Sequence, residues 1–178
     1  LDILKDLMNQ PGAMRRDSLE GALYLPANAK KLPEVASDSL DPKKMEGIVI
    51  DDEDAELEGA WAKGEGLKPF VGEHYSYGSA KGASARFSFA VKESGKYDVR
   101  VYWQPHENRA KAAPITVMSA DGEKTIHVNQ SKPASGLHGA QSLGTFKFNA
   151  GEEASVIFRT EGAQGNVHLD AVQVVPAK

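Results

Sequence analysis

From residue 46 onward apolar and polar side chains alternate one by one, the period of extended strands and not of helices. "ARFSFAV" places Phe87, Phe89 and Val91 on one face and Arg86 and Ser88 on the other. In "YDVRVYWQ", Tyr97, Val99, Val101 and Trp103 share a face opposite Asp98, Arg100 and Tyr102. Trp103 is therefore expected in a core and Tyr102 in solvent. "PITVMS", "KTIHVN", "LGTFKF", "ASVIFRT" and "NVHLDAVQVV" alternate in the same way, and "GIVID" and "LEGAW" are expected strands ahead of them. Turn signals at Ser94-Gly95, Asp121-Gly122, Ala150-Gly151 and 162–165 punctuate the series. About nine half-polar strands of this kind predict an all-β fold, an antiparallel β-sandwich or jelly roll.

Asp121-Gly122 is expected to close a hairpin as a type I′ turn, in which both central residues take positive φ. That turn brings Asn108 and Arg109 close to Asn129 and Gln130 at the opposite end. Asp170 interrupts an otherwise apolar closing strand, where a buried charge needs a partner. Arg109 is the expected partner, in a direct pair or in a network shared with Asn108, because a planar guanidinium satisfies a carboxylate with two bonds. Asn108, Arg109, Asn129, Gln130 and Asp170 are thus read as a structural clasp between hairpin and closing strand.

Residues 1–45 have a different character. "LDILKDLMNQPG" sets Ile3, Leu4, Leu7 and Met8 at helical spacing before a Pro-Gly stop, and "DSLEGALYL" begins on a plausible cap at Asp17 or Ser18. Pro26 to Lys44 is polar and proline-punctuated, as linkers are. The expected organisation is a short helical N-terminal extension, 1–45, ahead of a β-sandwich module, 46–178. The chain starts at Leu1 without a methionine, so it is expected to be a piece of a longer protein.

The 178 residues carry a net charge of −4 and no cysteine. An acidic balance argues against a nucleic-acid partner. Without cysteine there is no disulfide framework, thiolate metal site or cysteine nucleophile. No apolar run reaches the roughly 18 residues that a membrane-spanning helix requires.

Catalytic signatures are weak. His74, His106, His127, His138 and His168 are scattered without metal-ligand spacing, and His127 and His168 are expected on a solvent face. There is no nucleophile elbow or phosphate loop. The acidic run "DDEDAELE" reads as the solvated start of a strand, with Asp51, Asp52 and Asp54 as the carboxylates that calcium would use if one bound. No cofactor is expected otherwise. Flat aromatic rings that could stack on a sugar are Trp61, Tyr75, Tyr77 and Tyr102; Tyr75 and Tyr77 lie in "FVGEHYSYGSAKGAS", whose small residues allow rings to be displayed.

"GIVIDDEDAELEGAW", "FVGEHYSYG", "GKYDVRVYWQPHENRAKAAPITV", "TIHVNQ", "SLGTFKF" and "LDAVQVVP" occur in the order found in the golvesin/xanthan-lyase carbohydrate-binding-like domain, which residues 46–176 resemble. The resemblance implies a non-catalytic β-sandwich module appended to a larger bacterial enzyme. Such parents include polysaccharide lyases and FAD-dependent oxidoreductases, and the opening motif most resembles the version found behind the latter. The implied partner is a polysaccharide, in a secreted, periplasmic or cell-surface setting. The alternative is a structural domain that packs on the parent's catalytic domain and has no ligand of its own. Many members carry an aromatic, often tryptophan, before "LGTF"; here that loop holds only His138, the fifth candidate for ligand contact.

Overall fold

The computed structural model describes residues 39–79 and 81–178, and the expected N-terminal helices and most of the linker lie outside them. Fourteen strands follow: β1 (Ser39–Leu40), β2 (Ile48–Asp51), β3 (Glu56–Glu58), β4 (Ala62–Gly64), β5 (Phe70–Val71), β6 (Tyr75–Gly78), β7 (Ser84–Ala90), β8 (Gly95–Tyr102), β9 (Ala113–Ser119), β10 (Gly122–Val128), β11 (Ala140–Phe148), β12 (Glu153–Arg159), β13 (Val167–Leu169) and β14 (Ala171–Pro176). They build a five-stranded sheet, β10-β9-β12-β7-β3, and a four-stranded sheet, β11-β8-β14-β2, both antiparallel throughout. A third, small sheet, β13-β6-β4, lies beside them, and β1 pairs with β5 in parallel.

The alternation read from the sequence sets the core. Phe87, Phe89, Ile115, Val117, Val156 and Phe158 from the larger sheet are buried with Val99, Val101, Phe146, Phe148, Val172 and Val174 from its partner. Phe89 meets Phe148 edge-on across the layers, with ring centroids 5.1 Å apart. Burying each such side chain stabilises by about 1.5–3 kcal/mol relative to leaving it exposed. Trp103 is in this core as expected, its indole N–H donating to the Lys132 carbonyl. In β11 the buried positions shift from Leu143 to Phe146 and Phe148, because the register slips between Ser142 and Gly144 and inserts a bulge.

Three expectations are corrected here. The hairpin exists, but Ser119 pairs with Gly122, so the connecting residues are Ala120 and Asp121. Gly122 alone has positive φ, +100°, which excludes type I′ geometry. Second, "NVHLDAVQVV" is two strands in different sheets, β13 and β14, and Asp170 is the single residue at which the chain crosses between them. Third, Tyr102 is buried, 5% exposed, because residues around Leu40, Met45 and Val71 cover that end of the four-stranded sheet.

Candidate functional site

At the end of the sandwich away from the Ala120-Asp121 turn, the small sheet presents a group of rings. Tyr75 and Tyr77 project from one face of β6, two residues apart, while Ser76 points the other way and donates to buried Asp52. Register places His168 of β13 opposite Tyr77. Its imidazole is parallel to the Tyr77 ring within 8°, with centroids 6.3 Å apart, and lies 4.3 Å from the Tyr75 centroid. Gly64 of β4 pairs with Tyr75, and a β-carbon there would come within 2.5 Å of the Tyr75 ring, so the glycine lets that ring lie against the strand.

Arg109 completes the group. Its guanidinium carbon sits 5.8 Å from the Tyr77 ring centroid, within cation–π range. Nη1 donates to Asn108 Oδ1 at 2.7 Å and Nε to the Gln104 carbonyl at 3.4 Å. The backbone is fixed from the other side: Ala110 N–H donates to Asn166 O, and Asn166 N–H donates to Asn108 O. Gly165, at φ +105°, allows this approach, since a β-carbon there would lie 3.0 Å from Arg109 and Asn108 backbone atoms. The result is an open cleft of about 340 Å³ lined by Tyr75, Tyr77, His106, Asn108, Arg109 and Asn166, among others. A smaller lobe of about 240 Å³, lined by Trp61 and Gly78, shares Tyr77 and Asn166 with it. Tyr77 therefore stands between two depressions, with Trp61 beyond one and Arg109 beyond the other.

Charge in this corner is unusual. Burial and the neighbouring Arg109 push the His168 imidazole down to about 3, so it is neutral at physiological pH. Its Nδ1 accepts the Gln104 N–H at 3.4 Å. His168 is fully buried, against the solvent face expected for it, whereas His127 is exposed.

The expected Arg109–Asp170 pair does not form. Asp170 accepts the Val71 N–H at both carboxylate oxygens and the Gln104 side-chain amide at 2.8 Å. Gln104 thus joins the two residues, giving its carbonyl to Arg109 and its amide to Asp170. Gln130, fully buried, ties the hairpin to β13 by donating to His168 O at 2.6 Å and accepting the His168 N–H at 2.9 Å. Asn129 is exposed, and among the described residues its side chain bonds locally, to Ser131.

The acidic run is not simply a solvated strand start. Asp52 is 2% exposed, with Ser76 and the His74 ring as partners. Carboxylate oxygens of Asp51, Asp52 and Asp170 lie within 4.8 Å of one another, while Asp54 is exposed outside the group. Burial, helped by the adjacent Asp52 charge, raises Asp51 to about 7, and burial also raises Asp52 and Asp170. The donors facing these carboxylates are the N–H groups of Asp52 and Val71, the Gln104 side-chain amide and the Ser76 hydroxyl.

Tyr102 and His138, the other two candidates, fall elsewhere. They line a groove of about 730 Å³ over the outer face of the four-stranded sheet, with Arg100, Leu137 and Gln173. There the Tyr102 hydroxyl donates to Gln173 Oε1, the Gln173 amide donates to Glu46 O, and Arg100 pairs with Asp98 at 2.7 Å. Asn166, His106, Gln104 and His168 are not among the ligand candidates that the sequence offers. A change in buried parity, from Val167 and Leu169 to Val172 and Val174, was the available signal for the sheet crossing that brings Asn166 and His168 to the cleft.

A two-layer antiparallel sandwich with an aromatic and polar cleft among its end loops defines a β-sandwich domain of the kind that carbohydrate-binding modules share. The chain belongs to the golvesin C-terminal domain family, whose profile matches residues 48–176. It is 29% identical over 156 residues to the xanthan lyase of Bacillus sp. (strain GL1), covering 82% of this chain and 16% of that protein. A Paenibacillus xanthan lyase structure superposes with a TM-score of 0.66 at 31% identity, over 73% of this chain and 13% of that one. A family 35 carbohydrate binding module from Clostridium thermocellum shares the fold, with a TM-score of 0.52 at 13% identity, over 73% of this chain and 98% of that one. The chain thus spans about a sixth of the curated relative it matches.

Proposed function

We propose that the chain is a non-catalytic carbohydrate-binding module that holds polysaccharide in the loop-end cleft. The parent would be a larger, secreted bacterial enzyme acting on polysaccharide. The observation that carries this is Tyr77, a half-exposed ring with unspent hydrogen-bonding groups around it. Its own hydroxyl and the Asn166 side-chain amide make no hydrogen bond among the described residues, whereas the polar groups of the sheet groove are largely consumed by one another. A ring stacks on the apolar face of a pyranose, and nearby amides and hydroxyls bind its hydroxyl groups. The xanthan-lyase relatives and the carbohydrate-binding fold neighbour support the same reading.

The test is native affinity electrophoresis of the 178-residue chain through gels containing xanthan, other acidic polysaccharides or neutral ones. Retardation by at least one polymer, lost in Tyr77→Ala, is expected. Migration unchanged by every polymer, or retardation indifferent to Tyr77→Ala, overturns the reading.

A second reading, a domain that packs on its parent and binds no sugar, is favoured by the sheet groove. Leu137 at its rim is 84% exposed. Under that reading a soluble Leu137→Ser variant weakens association with the parent's catalytic domain, and no polysaccharide retards the chain.

A further inference from the structure

We propose that the loop-end cleft selects an acidic sugar, and that Arg109 is the counter-charge for the sugar's carboxylate. This rests on the cleft being the carbohydrate site and names the ligand class it prefers.

The argument starts from an uncompensated charge. Arg109 is only 7% exposed, yet none of the ion pairs among the described residues includes it. Removing a guanidinium from water without an anion is costly, and buried arginines are ordinarily matched by a carboxylate. The nearest natural candidate, Asp170, is occupied by Val71 and Gln104. What surrounds Arg109 is neutral: the Asn108 side chain, the Gln104 carbonyl, the Tyr77 ring and the uncharged His168.

The guanidinium also has donors to spare. Of its five N–H groups, one on Nη1 and the one on Nε have acceptors. Nη2 has none among the described residues, and it is not among their enclosed unsatisfied side-chain atoms, which are Ser88 Oγ, Gln104 Oε1 and His168 Nε2. Its remaining access to solvent is through the cleft it lines. A carboxylate arriving beside a pyranose ring stacked on Tyr77 would meet Nη2 with Asn166 nearby, and a charge-assisted bond there would be formed in a partly desolvated site. Arg100 in the sheet groove provides the internal contrast, since Asp98 already neutralises it.

The test compares matched polymers: polygalacturonate, alginate and glucuronoxylan, each before and after chemical reduction of its carboxyl groups. Binding of the full chain is read by affinity electrophoresis and, for a retained polymer, by calorimetry at low and high salt. The expected result is binding to at least one acidic polymer, weakened tenfold or more by carboxyl reduction and weakened by salt. Arg109→Lys, which keeps the charge, should retain part of the preference, and Arg109→Gln should lose it. Equal binding of acidic and reduced forms, or binding of neutral polymers alone, overturns the acidic-sugar inference and leaves the carbohydrate reading standing. Binding of no polysaccharide at all removes both. The salt and carboxyl-reduction measurements use the unaltered chain, so they decide the matter even if Arg109 variants fold poorly.

Discussion

The loop-end cleft and the sheet groove hold nearly the same residue types, tyrosine, arginine, histidine and amides, and dispose of them in opposite ways. In the groove over the four-stranded sheet, Arg100 is paired with Asp98, and Tyr102 with Gln173, whose amide is in turn spent on Glu46. In the loop-end cleft Arg109 has no acid, and the Tyr77 hydroxyl and the Asn166 amide have no protein partner among the described residues. The groove is larger, about 730 against 340 Å³, but its arginine, tyrosine and central amide are satisfied internally. Volume locates a surface where something fits. Unspent hydrogen-bonding capacity locates one where binding gains more than it displaces.

The sharpest way to break the comparison is to remove the ring on each side. Tyr77→Ala should weaken polysaccharide binding tenfold or more, about 1.4 kcal/mol, while circular dichroism stays unchanged. Tyr102→Phe should leave affinity within twofold. Equal losses would mean that both depressions, or neither, take part.

On stability, the largest effect is expected at the clasp that supports the cleft. Gln130→Ala leaves the His168 N–H and C=O, both buried, without their partners. Stability by chemical denaturation should fall by about 2–4 kcal/mol. Asn129→Ala, one residue away and exposed, should change it by less than about 0.5 kcal/mol.

The acidic cluster predicts a pH dependence of intermediate size. Asp51, Asp52 and Asp170 have raised affinity for protons in the folded state, Asp51 titrating at about 7. The native chain therefore binds more protons than the unfolded one from about pH 4 up to about pH 7, and stability falls as pH rises through that window. Because Asp51 is half-exposed, solvent screening reduces its share. A melting temperature several degrees lower at pH 8 than at pH 5 is expected, and Asp51→Asn should flatten the slope. A melting temperature that climbs steadily from pH 5 to pH 8 would contradict it. In the sheet groove, Tyr102→Phe should cost about 1 kcal/mol of stability through its lost bond to Gln173.

Local alternation made the sandwich legible, because each strand's buried face is written in its own residues: Phe87, Phe89, Val99, Val101 and Trp103 all lie where parity puts them. Parity says which side of a sheet a residue takes, but not whether another segment covers that side. Tyr102 was misplaced for that reason, since Leu40, Met45 and Val71 come from strands and turns far away in the chain. Asp170 was rightly read as needing partners, yet those partners, a backbone N–H of Val71 and the amide of Gln104, come from residues 99 and 66 positions away. Tyr77 could be named from its small-residue surroundings, but Tyr75, read there as a displayed ring, is 5% exposed, packed against His168 and Gly64 with its hydroxyl accepting the Leu67 N–H. His168 and Asn166 could not be named, because they reach the cleft only through the crossing between sheets at Asp170.

The most direct test is residue-level NMR mapping of the chain with an oligosaccharide from a polymer that retards it. The account predicts shifts centred on Tyr77, Arg109 and Asn166, with Arg100, Tyr102 and Leu137 unmoved. Shifts confined to Arg100, Tyr102 and Leu137 would place the ligand in the sheet groove and contradict it.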